Sequence, residues 1–280
     1  MAYSWYNLPQ MLANKPIFRW IQSIMNDFDT EIACIKLGNT HVIPVTSPSI
    51  VQEILIKQDA IFASRPHNWS NKQVSRGYLT TAITPFGEQW KKMKKVVTTE
   101  LLSPLRLQWL HDKRVEEADN LVRYFGNGRE DGGPGAEELE YVEALLNVLK
   151  YLFAFSISDY VPLLREFDLD GHKEAMKKAT NTIRNYHDPI IEERIHQWRN
   201  GTRTHQDDWL DILISLKDGN NNPLLTMEEI KAQTMELMFP TIDNPYNNVE
   251  WLLSEMLNQP KLLQKAVEEL DNVVGKDRQV

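Results

Sequence analysis

Two prolines inside one long helical pattern constrain this chain more than any other feature. Residues 236–259 have the character of a long buried helix, yet Pro240 and Pro245 stand on either side of the pair Asp243 and Asn244. A proline in a helix interior removes a backbone hydrogen bond and clashes with the preceding turn, at a cost of about 3 kcal/mol. One interpretation is a helix opened for a ligand. The other is a kinked core helix, in which Asp243 and Asn244 bond the carbonyls that the prolines free.

The composition excludes several classes of protein. The 280 residues, 42% of them hydrophobic, can form a packed core in one large domain or two ordinary ones. A formal net charge of −8 argues against nucleic acid as a partner. The single cysteine, Cys34, rules out a disulfide framework, and its place in a predicted strand indicates a buried, inert thiol. No apolar run reaches the ~18 residues of a membrane-spanning helix, so we expect no membrane anchor in this chain.

The spacing of apolar residues predicts a short β section followed mainly by helices. Residues 31–46 have the alternation of a hairpin with a Gly-Asn turn, while residues 63–86 show no period and predict a long loop. A capping box formed by Thr226 and Glu229 begins the long helix. Further helices are predicted over residues 16–28, 47–55, 87–102, 105–125, 139–157, 172–200 and 261–273. The predicted fold class is mainly α with a small N-terminal β-sheet.

Candidate binding chemistry is confined to a few positions. None of the seven histidines forms an i, i+4 pair around a glutamate, so no metal motif is present, and no glycine-rich phosphate loop occurs. Trp90 and Lys94 lie one helical turn apart, with further lysines beside them. They form either a solvated basic face with Trp90 in the core, or an indole N–H and an ammonium group that bind an anionic ligand.

Segments spread over nearly the whole chain carry a family resemblance. They are residues 14–21, 30–39, 62–66, 75–82, 86–93, 186–195, 228–233 and 242–245, the last of which reads Ile-Asp-Asn-Pro. These segments resemble plant cytochromes P450, specifically the amino-acid N-monooxygenases that form aldoximes. The resemblance implies an incomplete cytochrome P450 domain over residues 1–280, with a β-rich part to about residue 62. A helical part from 63 to 280 would reach the I and J helices of the family, without the haem-thiolate part.

The resemblance assigns roles to individual residues of the cofactor site. Trp90 and Lys94 would bind a haem propionate, although most relatives have arginine at the second position, which adds a bidentate fork. Asn244 would orient the oxygen ligand on the distal face of the haem, and Asp243 would support proton delivery.

Two further residues are implied in substrate binding. Arg76 lies in the first substrate-recognition region of the family, residues 67–84, where it would bind an amino-acid carboxylate or form a structural salt bridge. Phe239 in the long helix is the second candidate. The identity of the amino acid cannot be read from these positions, because single pocket methylenes change preference by only ~1–3 kcal/mol.

The activity implied by the resemblance is a haem-dependent monooxygenation. The family N-hydroxylates an amino acid twice and then decarboxylates it to the oxime. Electrons come from NADPH through a partner protein, NADPH–cytochrome P450 reductase. The family acts on the cytosolic face of the endoplasmic reticulum membrane, whereas we expect this chain as written to be soluble and cytoplasmic.

The sequence departs from the family pattern at several places. The family requires a proximal cysteine thiolate in a glycine-containing loop; Cys34 lies in a predicted strand near the start, and the chain stops before that loop. No arginine follows a glutamate by three positions, so the Glu-x-x-Arg motif is absent too. After Val122, a helical segment that relatives have is missing. We therefore expect either a partial sequence of an enzyme, inactive as written, or a non-catalytic remnant that does not bind haem stably.

Overall fold

Helices account for most of the residues that the structure describes, with one small sheet at the N-terminal end. The structure is a computed structural model, and it describes residues 2–3, 17–38, 40–126, 135–154, 156–161, 163 and 167–275. This architecture confirms the predicted fold class. The chain divides into two compact units, Met1–Met235 and Glu236–Val280.

The sheet confirms the predicted hairpin. Its three strands, in spatial order, are β1 (Ala2–Tyr3), β2 (Cys34–Leu37) and β3 (Thr40–Val42). Strand β1 pairs in parallel with β2, and β2 pairs in antiparallel fashion with β3. Leu37 lies opposite Thr40, so a tight turn connects β2 and β3. Gly38 has a φ of 60° in this turn, the left-handed conformation that such turns need and that glycine adopts freely.

Apolar spacing in the sequence anticipated most helices of the first unit. They are α1 (Ile17–Asp27), α2 (Pro48–Gln52), α3 (Asp59–Phe62), α4 (Trp69–Val74), α5 (Glu88–Lys95), α6 (Pro104–Trp109), α7 (His111–Gly126), α8 (Ala136–Leu152), α9 (Ile157–Tyr160), α10 (His172–Arg199) and α11 (Trp209–Ser215). Helix α2 continues as the π-helical segment Glu53–Lys57, and α5 as the π-helical segment Val96–Leu101. Residues 105–125, predicted as one helix, form α6 and α7. The most deeply buried apolar side chains come from five helices and are Met93, Val148, Met176, Ile183, Ile212, Leu213 and Ala232.

Helix α8 packs along α10. Val148 of α8 and Ile183 of α10 are fully buried and belong to the apolar stripes of these helices. The Tyr141 hydroxyl and His187 Nε2 lie 2.6 Å apart and join the two helices. Burial lowers the pKa of His187, which favours the neutral imidazole at this interface.

Four short helices lie wholly or mostly where the sequence predicted none, namely α3, α4, α9 and α11. Helix α4 falls inside the long loop predicted over residues 63–86, so that prediction is wrong. Asn68 caps this helix, because its Oδ1 accepts a hydrogen bond from the Asn71 N–H at 2.6 Å. Asp208 caps α11 in the same way, accepting from the Asp211 N–H at 2.9 Å. Each of these four helices completes at most about two turns, too few to show a hydrophobic period.

The long helix begins as predicted but is not opened. Helix α12 (Met227–Asn258) starts in the first unit and continues into the second, where α13 (Pro260–Val273) follows it. At its start the Glu229 N–H donates to Thr226 Oγ1 at 3.2 Å, and the Thr226 N–H donates to Glu229 Oε2 at 2.8 Å, which is the capping box. The helix then runs without interruption through Pro240 and Pro245, which corrects the first interpretation of the proline pair. Among the described residues, no helix is both long and apolar enough to cross a bilayer.

Candidate functional site

Trp90 is the clearest candidate for contact with a ligand. Its Nε1 is buried and has no hydrogen-bond acceptor within the described part of the chain. The Lys94 ammonium lies 4.6 Å from the centroid of the indole ring, and the Arg65 guanidinium lies 5.6 Å from it. A buried N–H donor without an acceptor is unfavourable, because it has lost its bond to water. An anionic oxygen would satisfy this donor and the neighbouring cations, so the geometry favours the ligand-binding interpretation of Trp90 and Lys94.

Not all of the lysines beside Trp90 belong to a solvated face, because Lys92 is paired with a buried carboxylate. The Lys92 ammonium donates to both carboxylate oxygens of Glu229, at 2.7 and 2.9 Å, and Gln89 Nε2 donates to the same carboxylate at 2.8 Å. Burial raises the pKa of Glu229, but the bonds from Lys92, Thr226 and Gln89 outweigh it, so the net pKa is lowered. These bonds fix α5, and with it Trp90, against the first turn of α12.

Arg76 forms the structural salt bridge that the sequence left as one of two alternatives. Its Nη2 donates to both carboxylate oxygens of Asp188 on α10, at 2.5 and 2.6 Å. Its Nη1 donates to Glu228 on α12 at 3.0 Å. Both terminal nitrogens are therefore engaged by carboxylates of the protein, and the side chain is only 11% exposed. This geometry favours a role in joining three helical segments over contact with a substrate carboxylate.

The pair between the two prolines faces outward from α12. Asp243 is half-buried, and its Oδ1 accepts a hydrogen bond from Asn247 Nδ2 at 3.0 Å. Asn244 is exposed, and its Nδ2 lies 3.4 Å from the carbonyl oxygen of Pro240. The prolines do not free that carbonyl. The second interpretation, in which Asp243 and Asn244 bond the carbonyls that the prolines free, is therefore not observed either. Phe239 lies one turn before Asp243 and is buried, with 6% of its surface exposed.

The described residues contain no arrangement that would hold a metal ion through three or more His, Cys, Asp or Glu side chains. Cys34 lies in the central strand β2 and is half-buried, which is the place of a structural residue. Trp90 and Lys94, by contrast, fit the anionic edge of a cofactor, since an indole N–H and an ammonium are both hydrogen-bond donors. A haem propionate is such an edge.

A cavity of about 660 Å³ in the first unit was not anticipated from the sequence. It lies among α1, strands β2 and β3, residues 65–71 and 82–83, and the segment from the end of α8 through α9. Asp159 and Arg65 are the charged side chains in its lining among the described residues. The segments that meet there run from Trp20 to Tyr160, 140 positions apart in the chain, so no local pattern could have predicted the cavity.

Comparison with known proteins places the sequence in one family. The cytochrome P450 family model matches residues 3–133 and 129–280. The chain is 51% identical to isoleucine N-monooxygenase 1 of Lotus japonicus over 98% of its length, and 50% identical to a tryptophan N-monooxygenase of Prunus mume over 96%. It is 49% identical to the phenylalanine N-monooxygenase of Arabidopsis thaliana over 98% of its length.

The chain is shorter than these relatives both overall and internally. It spans 58%, 58% and 60% of their respective lengths. The alignments extend over 313, 307 and 315 residues, longer than the 280-residue chain itself, so the relatives have internal residues that this chain lacks. The two family-model matches meet at residues 129–133, close to the gap predicted after Val122 and outside the described residues.

The fold comparison agrees with the sequence comparison. A zebra fish cytochrome P450 solved with progesterone has a TM-score of 0.65 and 18% identity, covering 95% of this chain and 66% of that chain. At this identity the likeness establishes the fold alone, and the family-model match establishes membership. The curated relatives within that family are amino-acid N-monooxygenases, as the sequence resemblance implied. The chain belongs to the cytochrome P450 family.

Proposed function

We propose that this chain is part of a haem-dependent monooxygenase that N-hydroxylates an amino acid and yields its aldoxime. One observation carries the proposal: the buried Trp90 indole N–H has no acceptor in the described part of the chain and lies beside the Lys94 ammonium. A carboxylate is the partner that such donors need, and a haem propionate is the carboxylate that the family offers. The reaction class is taken from the names of the relatives, which are about 50% identical to this chain in sequence.

Within this proposal Trp90 and Lys94 hold one edge of the haem. Bound haem supplies an iron centre that activates dioxygen. Arg65, whose guanidinium also faces the indole ring, adds positive charge beside the same edge. The bonds from Lys92 to Glu229 keep α5 in place, so that the indole N–H is oriented before the cofactor binds.

We propose that Asp243 and Asn244 are the proton-delivery and oxygen-orienting pair. Asp243 is half-buried and accepts one hydrogen bond, which leaves carboxylate capacity to accept and pass on a proton. Among the described residues, the Asn244 amide has a single contact of 3.4 Å to a backbone carbonyl, so it can turn to donate to an oxygen atom in the site. Phe239 lies one turn from Asp243 and is the proposed contact for the substrate side chain.

We infer that the whole protein receives electrons from NADPH through NADPH–cytochrome P450 reductase, on the cytosolic face of the endoplasmic reticulum membrane. Membership of the family supports both inferences. The substrate is one of the amino acids with an apolar or aromatic side chain, because the relatives are named for isoleucine, tryptophan and phenylalanine.

A second candidate concerns the 280 residues by themselves. Cys34 is the single cysteine, and it lies in the central strand of the sheet. The resemblance places the ligating cysteine in a glycine-containing loop rather than in a strand, so we propose that these residues alone form no haem-thiolate centre. Haem reconstitution followed by reduction and addition of carbon monoxide checks this. A red-shifted thiolate Soret band from the 280-residue chain would contradict it.

The proposed activity is tested on an extended chain, in which the C-terminal region of isoleucine N-monooxygenase 1 of Lotus japonicus is joined after Val280. With haem and the reductase present, we expect NADPH oxidation that increases when isoleucine, phenylalanine or tryptophan is added. The variant Asn244→Ala should lose this increase. An extended chain with a thiolate Soret band, but with NADPH oxidation that no amino acid changes, would overturn the proposal.

A further inference from the structure

Arg184 on α10 is a half-buried cation without a carboxylate partner. Its Nη2 donates to the backbone carbonyl of Gln73 on α4, while its Nε is buried and has no acceptor among the described residues. No carboxylate oxygen in the described part of the chain lies within 4.0 Å of this guanidinium. A charged group that is removed from water without a counter-charge is unfavourable, so Arg184 is a candidate for contact with an anion.

A second guanidinium, that of Arg76, adds positive charge at the same place. Its terminal nitrogens are bonded to Asp188 and Glu228, but its Nε is also buried without an acceptor in the ranges that the structure describes. Burial lowers the pKa of Arg184, and the nearby charge of Arg76 lowers it further. The two carboxylates act in the opposite direction and do not compensate. They therefore offset Arg76 and leave the charge of Arg184 without a counter-charge.

Both guanidinium groups line a small cavity of the first unit. Its volume is about 360 Å³, within the range of small-molecule pockets, ~300–1,000 Å³. It lies between α4, residues 76–77, α10 and the first turn of α12, and its lining includes Trp69, Lys72, Gln73, Arg76, Arg184 and Glu228. Lys72 is exposed, and no carboxylate among the described residues lies within 4.0 Å of its ammonium group. Two cations without carboxylate partners, on two different helices, therefore line one cavity.

We propose that this cavity binds a phosphate group. A phosphate monoester carries a charge of about −1.5 to −2 at neutral pH, which matches the two charges of Lys72 and Arg184, whereas a carboxylate would balance only one of them. A guanidinium donates through a planar fork that fits phosphate oxygens, and an ammonium group adds a compact positive charge. The charge of Glu228, the carboxylate in the lining, is offset by its bond to Arg76 at 3.0 Å.

This site is additional to the proposed haem site. Neither Trp90 nor Asp243 is among the described residues of the lining. Lys72 lies on α4 and Arg184 on α10, so a bound phosphate would join these two helices. Binding to the folded chain alone should raise its Tm as the phosphate concentration increases.

The test is isothermal titration of the 280-residue chain with inorganic phosphate, and with acetate at the same ionic strength. We expect phosphate to bind, and acetate to bind about tenfold more weakly because it balances one cation only. Vesicles of phosphatidylcholine, with and without phosphatidic acid, are the second probe, since a lipid headgroup offers the same chemistry. Binding of inorganic phosphate supports a soluble phosphate ligand, and binding of phosphatidic acid vesicles alone supports a lipid headgroup.

The variant Lys72→Gln removes one cation at an exposed position, where the fold should tolerate the change. We expect it to bind phosphate about tenfold more weakly, and Lys72→Arg to bind like the wild-type chain because it keeps the charge. Arg184→Gln should weaken binding as much, while its amide can still donate to the Gln73 carbonyl. Lys178→Gln, at an exposed position of α10 outside the cavity, is the matched control and should leave the affinity unchanged.

These titrations need neither haem nor reductase, so their outcomes are independent of the proposed activity. A wild-type chain that binds neither inorganic phosphate nor phosphatidic acid vesicles would overturn the proposal, and so would acetate bound as tightly as phosphate. Equal affinities of Lys72→Gln and Lys178→Gln for phosphate would overturn it as well, even if Arg184→Gln fails to fold.

Discussion

The Lys92 ammonium lies 2.7 Å from a carboxylate oxygen of Glu229, and this ion pair joins helix α5 to the first turn of α12. Glu229 is 4% exposed, whereas Lys92 retains some contact with solvent. The same carboxylate also closes the capping box with Thr226. One side chain therefore sets both the start of the long helix and the position of the helix that carries Trp90.

Replacing Glu229 by glutamine should lower the free energy of unfolding by about 2 kcal/mol, since charge-assisted bonds to a buried carboxylate are lost. Urea denaturation of the 280-residue chain measures this. Glu88→Gln is the matched control, because the Glu88–Lys91 pair is exposed and should contribute less than about 1 kcal/mol. Equal effects of the two variants would show that the Glu229 pair does not hold α5 in place.

Asp211 makes stability depend on pH. Its carboxylate is fully buried and accepts hydrogen bonds from Arg194, Arg203 and the Trp198 indole. Burial raises the pKa of Asp211, but these donors outweigh it and hold the pKa well below its usual range. A carboxyl group with a lowered pKa contributes stability above its unfolded pKa of about 3.9, and this contribution is lost as the pH falls further.

The variant Asp211→Asn should therefore be less stable than the wild-type chain at neutral pH, by an amount that shrinks below about pH 4. Thermal unfolding of both proteins between neutral and acidic pH measures the difference in Tm. A difference that stays constant across the acidic range would show that the Asp211 charge does not stabilise the fold.

Gly38 is required at the hairpin turn for two separate reasons. Its φ of 60° lies in the left-handed region, and a Cβ at this position would lie 1.9 Å from the Tyr160 carbonyl oxygen. Gly77 has a φ of 91° with nothing within 4 Å of its Cβ position, so only the backbone conformation disfavours a side chain there. We expect Gly77→Ala to cost ~1–2 kcal/mol and Gly38→Ala clearly more, as measured by chemical denaturation. Equal costs would mean that Tyr160 moves aside freely.

Trp90→Phe tests the proposed cofactor contact. Removing a buried N–H that has no acceptor should leave the stability of the cofactor-free protein nearly unchanged. Haem affinity of the extended chain should fall about tenfold, because the propionate loses a charge-assisted bond. Trp109→Phe, at an indole that is 40% exposed, is the control and should change neither quantity. Unchanged haem affinity in Trp90→Phe would argue against the assignment.

The sequence predicts the long elements of this fold and misses the short ones. Helices α10 and α12 extend over many turns, so their apolar spacing and the Thr226–Glu229 capping box are visible in the sequence. Helices α4 and α11 leave only their capping residues, Asn68 and Asp208, as a local signal.

The residues of the candidate site likewise differ in whether a local sequence pattern reveals them. Trp90 and Lys94 are visible because they lie one turn apart on a single helix. The partner of Lys92 is 137 positions away, and the carboxylate partners of Arg76 are 112 and 152 positions away. Pairings over such separations depend on tertiary packing, which no local pattern encodes. The cavity that contains Asp159 and Arg65 depends on packing in the same way.

We propose that Trp90 and Lys94 bind the haem edge, and that Asp243 and Asn244 activate oxygen, in an amino-acid N-monooxygenase. The most direct test is mass spectrometry of oximes formed by the extended chain from isotopically labelled amino acids, with NADPH, haem and reductase present. We predict the labelled oxime of at least one amino acid, and its loss in the variants Asp243→Asn and Asn244→Ala. An extended chain that shows a thiolate Soret band but forms no labelled oxime from any amino acid would contradict the claim.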